Sequence, residues 1–87
     1  MFYMYMMVNE NKEIYIGSTN DLKRRFAEHN IGKSFSTKNH KWKLVYYEAY
    51  FSEQDARIRE QKLKQHGRTK SHLKNRIQTS LLEISVG

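Results

Sequence analysis

The stretch EIYIGSTNDLKRRFAEHN, Glu13–Asn30, contains the signals of a strand, a turn and a helix in direct succession. Residues 13 to 17 alternate apolar and other side chains, which is the period of a strand. Thr19 or Asn20 is a suitable helix N-cap, and Asp21 then falls in the first turn, where a carboxylate favours a helix. The stretch therefore predicts a strand that leads straight into a helix.

The predicted helix carries a basic group and an imidazole on one face. Leu22, Phe26 and His29 follow the spacing i, i+4, i+7, which places them along one side. At 100° per residue Arg25 falls beside Leu22 and His29, whereas Arg24 points to the far side and is expected to be solvated. The helix should end between residues 30 and 32, where Asn or Gly commonly closes a helix.

A second strand should precede this stretch and pair with it. Residues 2 to 8 are aromatic and apolar, and the polar turn NENK separates them from residues 13 to 17. The simplest arrangement is an antiparallel hairpin. Tyr3, Tyr5 and Met7 then share one face of the first strand. Whether Tyr5 and Tyr15 stand side by side depends on the register, which the sequence alone leaves open.

The second half of the chain predicts a strand and two helices. Residues 33 to 41 are polar and basic and predict a loop, and residues 42 to 51 are the strongest strand candidate. Ser52 with Asp55 resembles a capping box for a helix over 53–66 that stops at Gly67. A last helix is expected over 69–82. The order β-β-α-β-α-α predicts an α+β fold, a small, mainly antiparallel three-stranded sheet flanked by three helices.

The composition favours a polyanionic partner. The chain has 87 residues, the length of a single domain, and its sixteen Lys and Arg exceed nine Asp and Glu to give a formal charge of +7. The lack of cysteine excludes disulfides and thiolate metal sites and agrees with a reducing, cytoplasmic location. The apolar start MFYMYMMV is too short for a membrane span and lacks the features of a signal peptide.

Three groups of side chains could carry chemistry. Glu60 lies on the same side of its helix as Ala56 and Leu63, so it is either an edge carboxylate in a salt bridge or a ligand for a hard cation such as Mg²⁺. Arg25 and His29 suit a phosphate, or else are ordinary polar residues at a core edge. The tyrosines pack a sheet, or one of them becomes a base if neighbouring cations lower its pKa.

Together these residues resemble the GIY-YIG nuclease family, in particular its small single-domain members, over nearly the whole chain. Tyr15-Ile16-Gly17 is the second family signature, and Tyr3-Met4-Tyr5 stands where the family has Gly-Ile-Tyr, so that only Tyr5 is kept. The rest of the pattern follows in order, with Thr19, Asp21, Leu22, Arg25, His29 and then Glu60 within REQKLK.

The resemblance implies a single nuclease domain over residues 1–87 that cleaves DNA. Tyr15 would be the general base or proton relay, with Tyr5 assisting. Arg25 would neutralise the scissile phosphate, and His29 would position water or phosphate or assist proton transfer. Glu60 would hold a single Mg²⁺ or Mn²⁺, which stabilises the leaving oxygen.

A second hypothesis is a non-catalytic module that binds DNA or RNA through basic and aromatic side chains. A structural or protein-interaction role is a more distant third. The chain has no room for an appended recognition domain, so sequence preference is expected to be weak, directed by DNA structure or supplied by a targeting protein partner. The oligomeric state, and a role in repair, recombination, restriction or mobile DNA, stay open.

Overall fold

The computed structural model describes residues 1–31 and 40–86, which form three strands and four helices in the order β-β-α-β-α-α-α. The elements are β1 Phe2–Asn9, β2 Ile14–Thr19, α1 Leu22–Asn30, β3 Trp42–Tyr50, α2 Glu53–Gln65, α3 Gly67–Arg76 and α4 Gln78–Val86. The predicted α+β class and all three strands are confirmed. Most of the loop predicted over 33–41 lies outside the described residues. No helix in the described ranges is both long and apolar enough to cross a membrane.

The first two strands form the predicted hairpin, closed by the side chain of Asn9. Asn9 is buried, and its Oδ1 accepts hydrogen bonds from the backbone N–H groups of Asn11 and Glu13, at 2.9 and 3.0 Å. Lys12 takes the left-handed backbone conformation with φ of 63°, so a lysine and not one of the asparagines provides the sharp reversal. Asn9 therefore satisfies two backbone N–H groups of the turn, and this fixes the path by which β2 returns along β1.

The central strand β1 pairs antiparallel with both β2 and β3, giving the sheet order β2-β1-β3. Because side chains alternate along β1, each sheet face contributes its own set of buried residues. On one face Met4 and Met6 pack with Ile16, Leu63 and Leu73, which brings in α2 and α3. On the other face Tyr5, Met7 and Trp42 pack against α1 through Leu22 and Phe26. The sheet is thus a middle layer between α1 and the later helices.

The N-cap of α1 lies two residues after Thr19 and one after Asn20, the predicted N-caps. Asp21 is the N-cap, and its Oδ1 accepts a hydrogen bond from the Arg24 backbone N–H at 3.1 Å. The Thr19 hydroxyl oxygen instead accepts from the Asp21 backbone N–H, at 3.1 Å. The prediction was wrong: Thr19 still belongs to β2, and Asp21 caps the helix in place of Asn20.

The C-terminal part holds three helices instead of the predicted two. His66 ends α2 and also precedes the first residue of α3, so Gly67 opens a helix and does not terminate one. The predicted helix over 69–82 is interrupted at Ile77, which packs against the core on the sheet face of Met4 and Met6. This change of direction carries α4 back to β3, where Lys43 Nζ donates to the Ile84 carbonyl at 3.4 Å. Packing against the sheet thus overrides a continuous helical pattern.

A half-buried polar cluster joins β3 to α2 on the sheet face that carries Met4 and Met6. The Glu48 carboxylate accepts hydrogen bonds from the hydroxyl groups of Tyr46 and Tyr50 and from the Arg59 guanidinium, with Arg59 Nε at 2.9 Å from Oε1. Burial, followed by the bond to Glu48, raises the pKa of Tyr50 to about 12. This fully partnered carboxylate fixes the position of α2, the helix that carries Glu60.

Candidate active site

Tyr5 lies directly over Gly17 in the pairing of β1 with β2. Only 2% of Tyr5 is exposed. A Cβ atom built on Gly17 would stand 2.5 Å from the Tyr5 hydroxyl oxygen and 2.6 Å from Cζ. Any side chain at this position would therefore push the tyrosine ring away. The glycine of the Tyr-Ile-Gly signature is explained by the close approach of this ring.

Tyr5 and His29 form a buried, uncharged pair. The Tyr5 hydroxyl and His29 Nε2 share a hydrogen bond of 2.8 Å, and His29 is fully buried on α1. Burial, helped by the nearby Arg25, lowers the pKa of His29 to about 4. Burial, followed by the influence of Tyr15, raises the pKa of Tyr5 to about 12. Both groups are thus neutral at pH 7, and the Tyr5 hydroxyl can donate this hydrogen bond to the imidazole nitrogen.

Tyr15 lies on the same sheet face as Tyr5, which the sequence alone left open. The register pairs Tyr15 with Met7 and Tyr5 with Gly17, so the two tyrosines are diagonal neighbours. Their ring centroids are 6.2 Å apart, and the Tyr15 ring meets His29 edge-on at 4.8 Å. Tyr15 is only half-buried. Of the two phenols, Tyr15 is therefore the one that solvent and substrate can reach.

Arg25 lies at the rim of this tyrosine cluster. Its guanidinium lies close enough to the Tyr5 hydroxyl to oppose the rise in the pKa of that phenol, and it pairs with Glu28, with Nη1 at 3.2 Å from Oε1. The side chain is 31% exposed. One end of the guanidinium thus contacts the buried phenol while the rest faces solvent, an arrangement that can bind a phosphate oxygen.

Glu60 reaches the site from the opposite sheet face. The Ser18 hydroxyl donates to Glu60 Oε1 at 2.6 Å, and Lys64 Nζ donates to Oε2 at 2.6 Å. Ser18 and Gly17 are consecutive in β2, so they lie on opposite faces of the sheet. The Glu60 carboxylate therefore reaches this edge strand from one face, and the cluster of Tyr5, Tyr15 and His29 lies on the other. Glu60 is close enough to add, after burial, to the raised pKa of Tyr5.

The structure therefore brings together all five residues singled out from the sequence, Tyr5, Tyr15, Arg25, His29 and Glu60. Sequence reasoning missed Ser18 and Lys64, which hold the Glu60 carboxylate. Strand alternation alone would have placed Ser18 on the face opposite Tyr15. The spacing i, i+4 between Glu60 and Lys64 would have predicted their ion pair.

The oxygen atoms at Glu60 fit a hard divalent cation. Mg²⁺ is commonly held by one or two carboxylates and completes its coordination with water and substrate phosphate. The Glu60 carboxylate is 19% exposed, and the Ser18 hydroxyl supplies a second oxygen beside it. Lys64, which is 48% exposed, now provides the positive charge at this carboxylate. No cluster of three or more His, Cys, Asp or Glu occurs within residues 1–31 and 40–86.

The buried His29 should make stability depend on pH in a defined window. Its pKa of about 4 lies below the ordinary 6.5, so the unfolded chain binds more protons between these values. Stability should be fully present above pH 6.5 and decrease as the pH falls towards 4, by on the order of 2 kcal/mol. Urea unfolding of the wild type and of His29→Gln at several pH values measures this.

The control for this experiment is His72→Gln, which removes an exposed histidine. This variant should keep the full decrease in stability, whereas His29→Gln should lose most of it. Equal pH profiles for the wild type and His29→Gln would show that His29 is not held neutral in the folded protein.

Comparisons with known proteins identify the family of this chain. A family model described as the GIY-YIG catalytic domain matches residues 1–78. UPF0213 proteins of Streptococcus pyogenes serotype M5 (strain Manfredo) and serotype M2 (strain MGAS10270) are each 39% identical over 56 residues. These matches cover 62% of this chain and 61% of each relative, about three fifths of their length. No solved structure matches significantly. Because the family model covers most of the chain, the protein belongs to the GIY-YIG catalytic domain family.

Proposed function

We propose that the protein is a metal-dependent endonuclease that hydrolyses DNA phosphodiester bonds with a single divalent cation. Membership of the GIY-YIG catalytic domain family supports a nuclease function. The observation that carries the finer proposal is the meeting of the Glu60 carboxylate, two phenols and the Arg25 guanidinium around Gly17 and Ser18. Phosphoryl chemistry needs such a set, because charge builds on the phosphate while a water is deprotonated.

Arg25 would bind the scissile phosphate. Its pair with Glu28 is partly exposed, and such pairs contribute little to stability. A phosphate can therefore displace Glu28 at small cost and gain a charge-assisted, bidentate contact. The neighbouring Tyr5 hydroxyl would help to orient the guanidinium while its outer nitrogen atoms bind substrate.

The two tyrosines would have different roles. The raised pKa keeps Tyr5 protonated and its burial keeps water away from it, so its role would be to position Arg25 and the neutral His29. Tyr15 is more exposed and lies near the Lys64 ammonium, which stands 5.9 Å from its ring centroid. Because a substrate water can reach Tyr15 and not the buried Tyr5, Tyr15 is the better candidate for the base that activates water.

Glu60 and Ser18 would hold the divalent cation. When bound there, the cation would neutralise the charge of the leaving oxygen and of the phosphate. The Lys64 ammonium must leave the Glu60 oxygen that it now contacts, and its long side chain allows this movement.

The test is the nicking of supercoiled DNA by the purified protein with Mg²⁺ or Mn²⁺, and with the cation removed by EDTA. We expect Tyr15→Phe to reduce turnover about a hundredfold, the usual contribution of a general base. Tyr5→Phe, the matched control, should reduce it less, since the ring remains over Gly17. A larger loss in Tyr5→Phe than in Tyr15→Phe would contradict the assigned roles.

One observation favours the alternative of a non-catalytic DNA- or RNA-binding module. Both Glu60 oxygens already have partners in Ser18 and Lys64, as expected of a purely structural carboxylate. This alternative predicts steeply salt-dependent binding and no cleavage with any cation. It also predicts that Glu60→Ala binds DNA at least as tightly as the wild type.

A further inference from the structure

A cavity of about 440 Å³ lies between α1 and α2 and adjoins the candidate active site. Ser18 and Arg25 line this cavity, and the same residues contact Glu60 and Tyr5. A substrate that occupies the candidate site therefore has a direct path into the cavity. The volume falls in the range of about 300–1,000 Å³ of small-ligand sites, enough for one nucleotide and too small for a duplex.

Two further guanidiniums line the cavity, one from each helix. Arg24 of α1 pairs with Asp21, with 3.9 Å from Nε to Oδ2, and Arg57 of α2 pairs with Glu53, with 3.5 Å from Nη2 to Oε1. Both arginines are largely exposed, at 58% and 66%. Exposed pairs at this spacing are weak. The two carboxylates can therefore give way to a phosphate, which binds a guanidinium bidentately.

We propose that this cavity is a second phosphate subsite, in which Arg24 and Arg57 hold the phosphate next to the scissile one on the same DNA strand. The inference rests on the proposed function, since that function places the scissile phosphate at Arg25. Because these arginines come from two different helices, they would contact the strand from both sides of the cavity and fix the path of its backbone through the site. Only one strand enters, so the subsite favours DNA that is locally unpaired.

Equilibrium binding tests this subsite without cleavage. The probe is a short fluorescein-labelled single DNA strand, with EDTA present and fluorescence anisotropy as the readout. Arg57→Gln should weaken binding about fivefold and make the slope of log K against log salt shallower by about 0.7, the value for one lost phosphate contact. The matched control is Arg68→Gln on α3, an exposed arginine outside the cavity lining, which should change both quantities much less.

The carboxylate partner gives a test of opposite sign. Glu53→Gln frees Arg57 and should tighten binding several-fold more than Glu83→Gln, which removes the same charge from α4. All four positions are exposed, and unchanged thermal unfolding midpoints will show that the variants are folded. Equal effects within each pair overturn the subsite.

Failure of the subsite and failure of the nuclease proposal have different signatures. If Arg57→Gln matches Arg68→Gln while the wild type still cleaves DNA, the subsite is wrong and the nuclease stands. If the arginine effect is present and no cation supports cleavage, the subsite proposal holds and the protein binds DNA without cleaving it. A wild type that binds no single strand and yet nicks supercoiled DNA overturns the subsite alone, whereas one that neither binds the strand nor cleaves DNA overturns both proposals.

Discussion

Glu60→Gln should reduce DNA cleavage by about a thousandfold or more while leaving the protein folded and able to bind DNA. The amide keeps the size of the carboxylate and can still accept from the Ser18 hydroxyl, so the packing of α2 on β2 is retained. It removes the negative charge that would hold the divalent cation. The cation stabilises charge that develops only in the transition state, so turnover should fall far more than binding.

The matched control is Glu83→Gln, the same chemical change at an exposed position of α4. It should cleave as the wild type does. Strand binding by Glu60→Gln should stay equal or become tighter, because a negative charge is removed from a surface that meets phosphate. Cleavage by Glu60→Gln at the rate of the wild type would exclude this carboxylate from the chemistry.

Gly17→Ala should disable the site by displacing Tyr5. The added Cβ would stand 2.5 Å from the tyrosine oxygen and 2.6 Å from Cζ, far inside van der Waals contact. Tyr5 is buried in the middle strand, so its ring must tilt and break the bond to His29. We expect a loss of about 2–3 kcal/mol in the free energy of unfolding, as for overpacked cores. Turnover should fall about a hundredfold, because catalytic groups are misplaced.

Gly67→Ala is the control, because a Cβ there would have no tertiary neighbour within 4 Å. Gly67 opens α3, where alanine should raise stability by about 0.5–1 kcal/mol through the lower entropy of the unfolded chain. Urea unfolding and nicking assays on both variants make the comparison. If Gly17→Ala keeps the stability and activity of the wild type, the close approach of Tyr5 is not what requires glycine.

Local sequence patterns were sufficient for the strands and for the residues that each strand face presents. Alternation placed Tyr5 and Met7 on one face of β1, as the structure has them, and helical spacing placed Arg25 beside His29. These inferences succeed because neighbours in a strand or helix are fixed by the backbone period. The distance between Tyr5 and Tyr15 could not be predicted, since it depends on a register set by the turn at Asn9 and Lys12.

Features that depend on packing between elements escaped prediction. The interruption at Ile77 contains neither glycine nor proline, and it arises where the chain turns back towards β3. Arg24 is solvated, as predicted, and yet lines the cavity between α1 and α2, a position that exists only when both helices dock. The approach of Glu60 from the other sheet face likewise depends on Ser18 and on the Glu48 cluster that holds α2.

The middle strand β1 pairs with β2 from its own half of the chain and with β3 from the other half. Division of the chain between residues 31 and 40 would therefore give two fragments, one with the tyrosines, the arginine and the histidine, and one with the carboxylate. Neither fragment contains a complete set of reacting groups. Complementation of the two fragments would restore turnover only when β3 reassociates along β1, so turnover itself would report the reassembly.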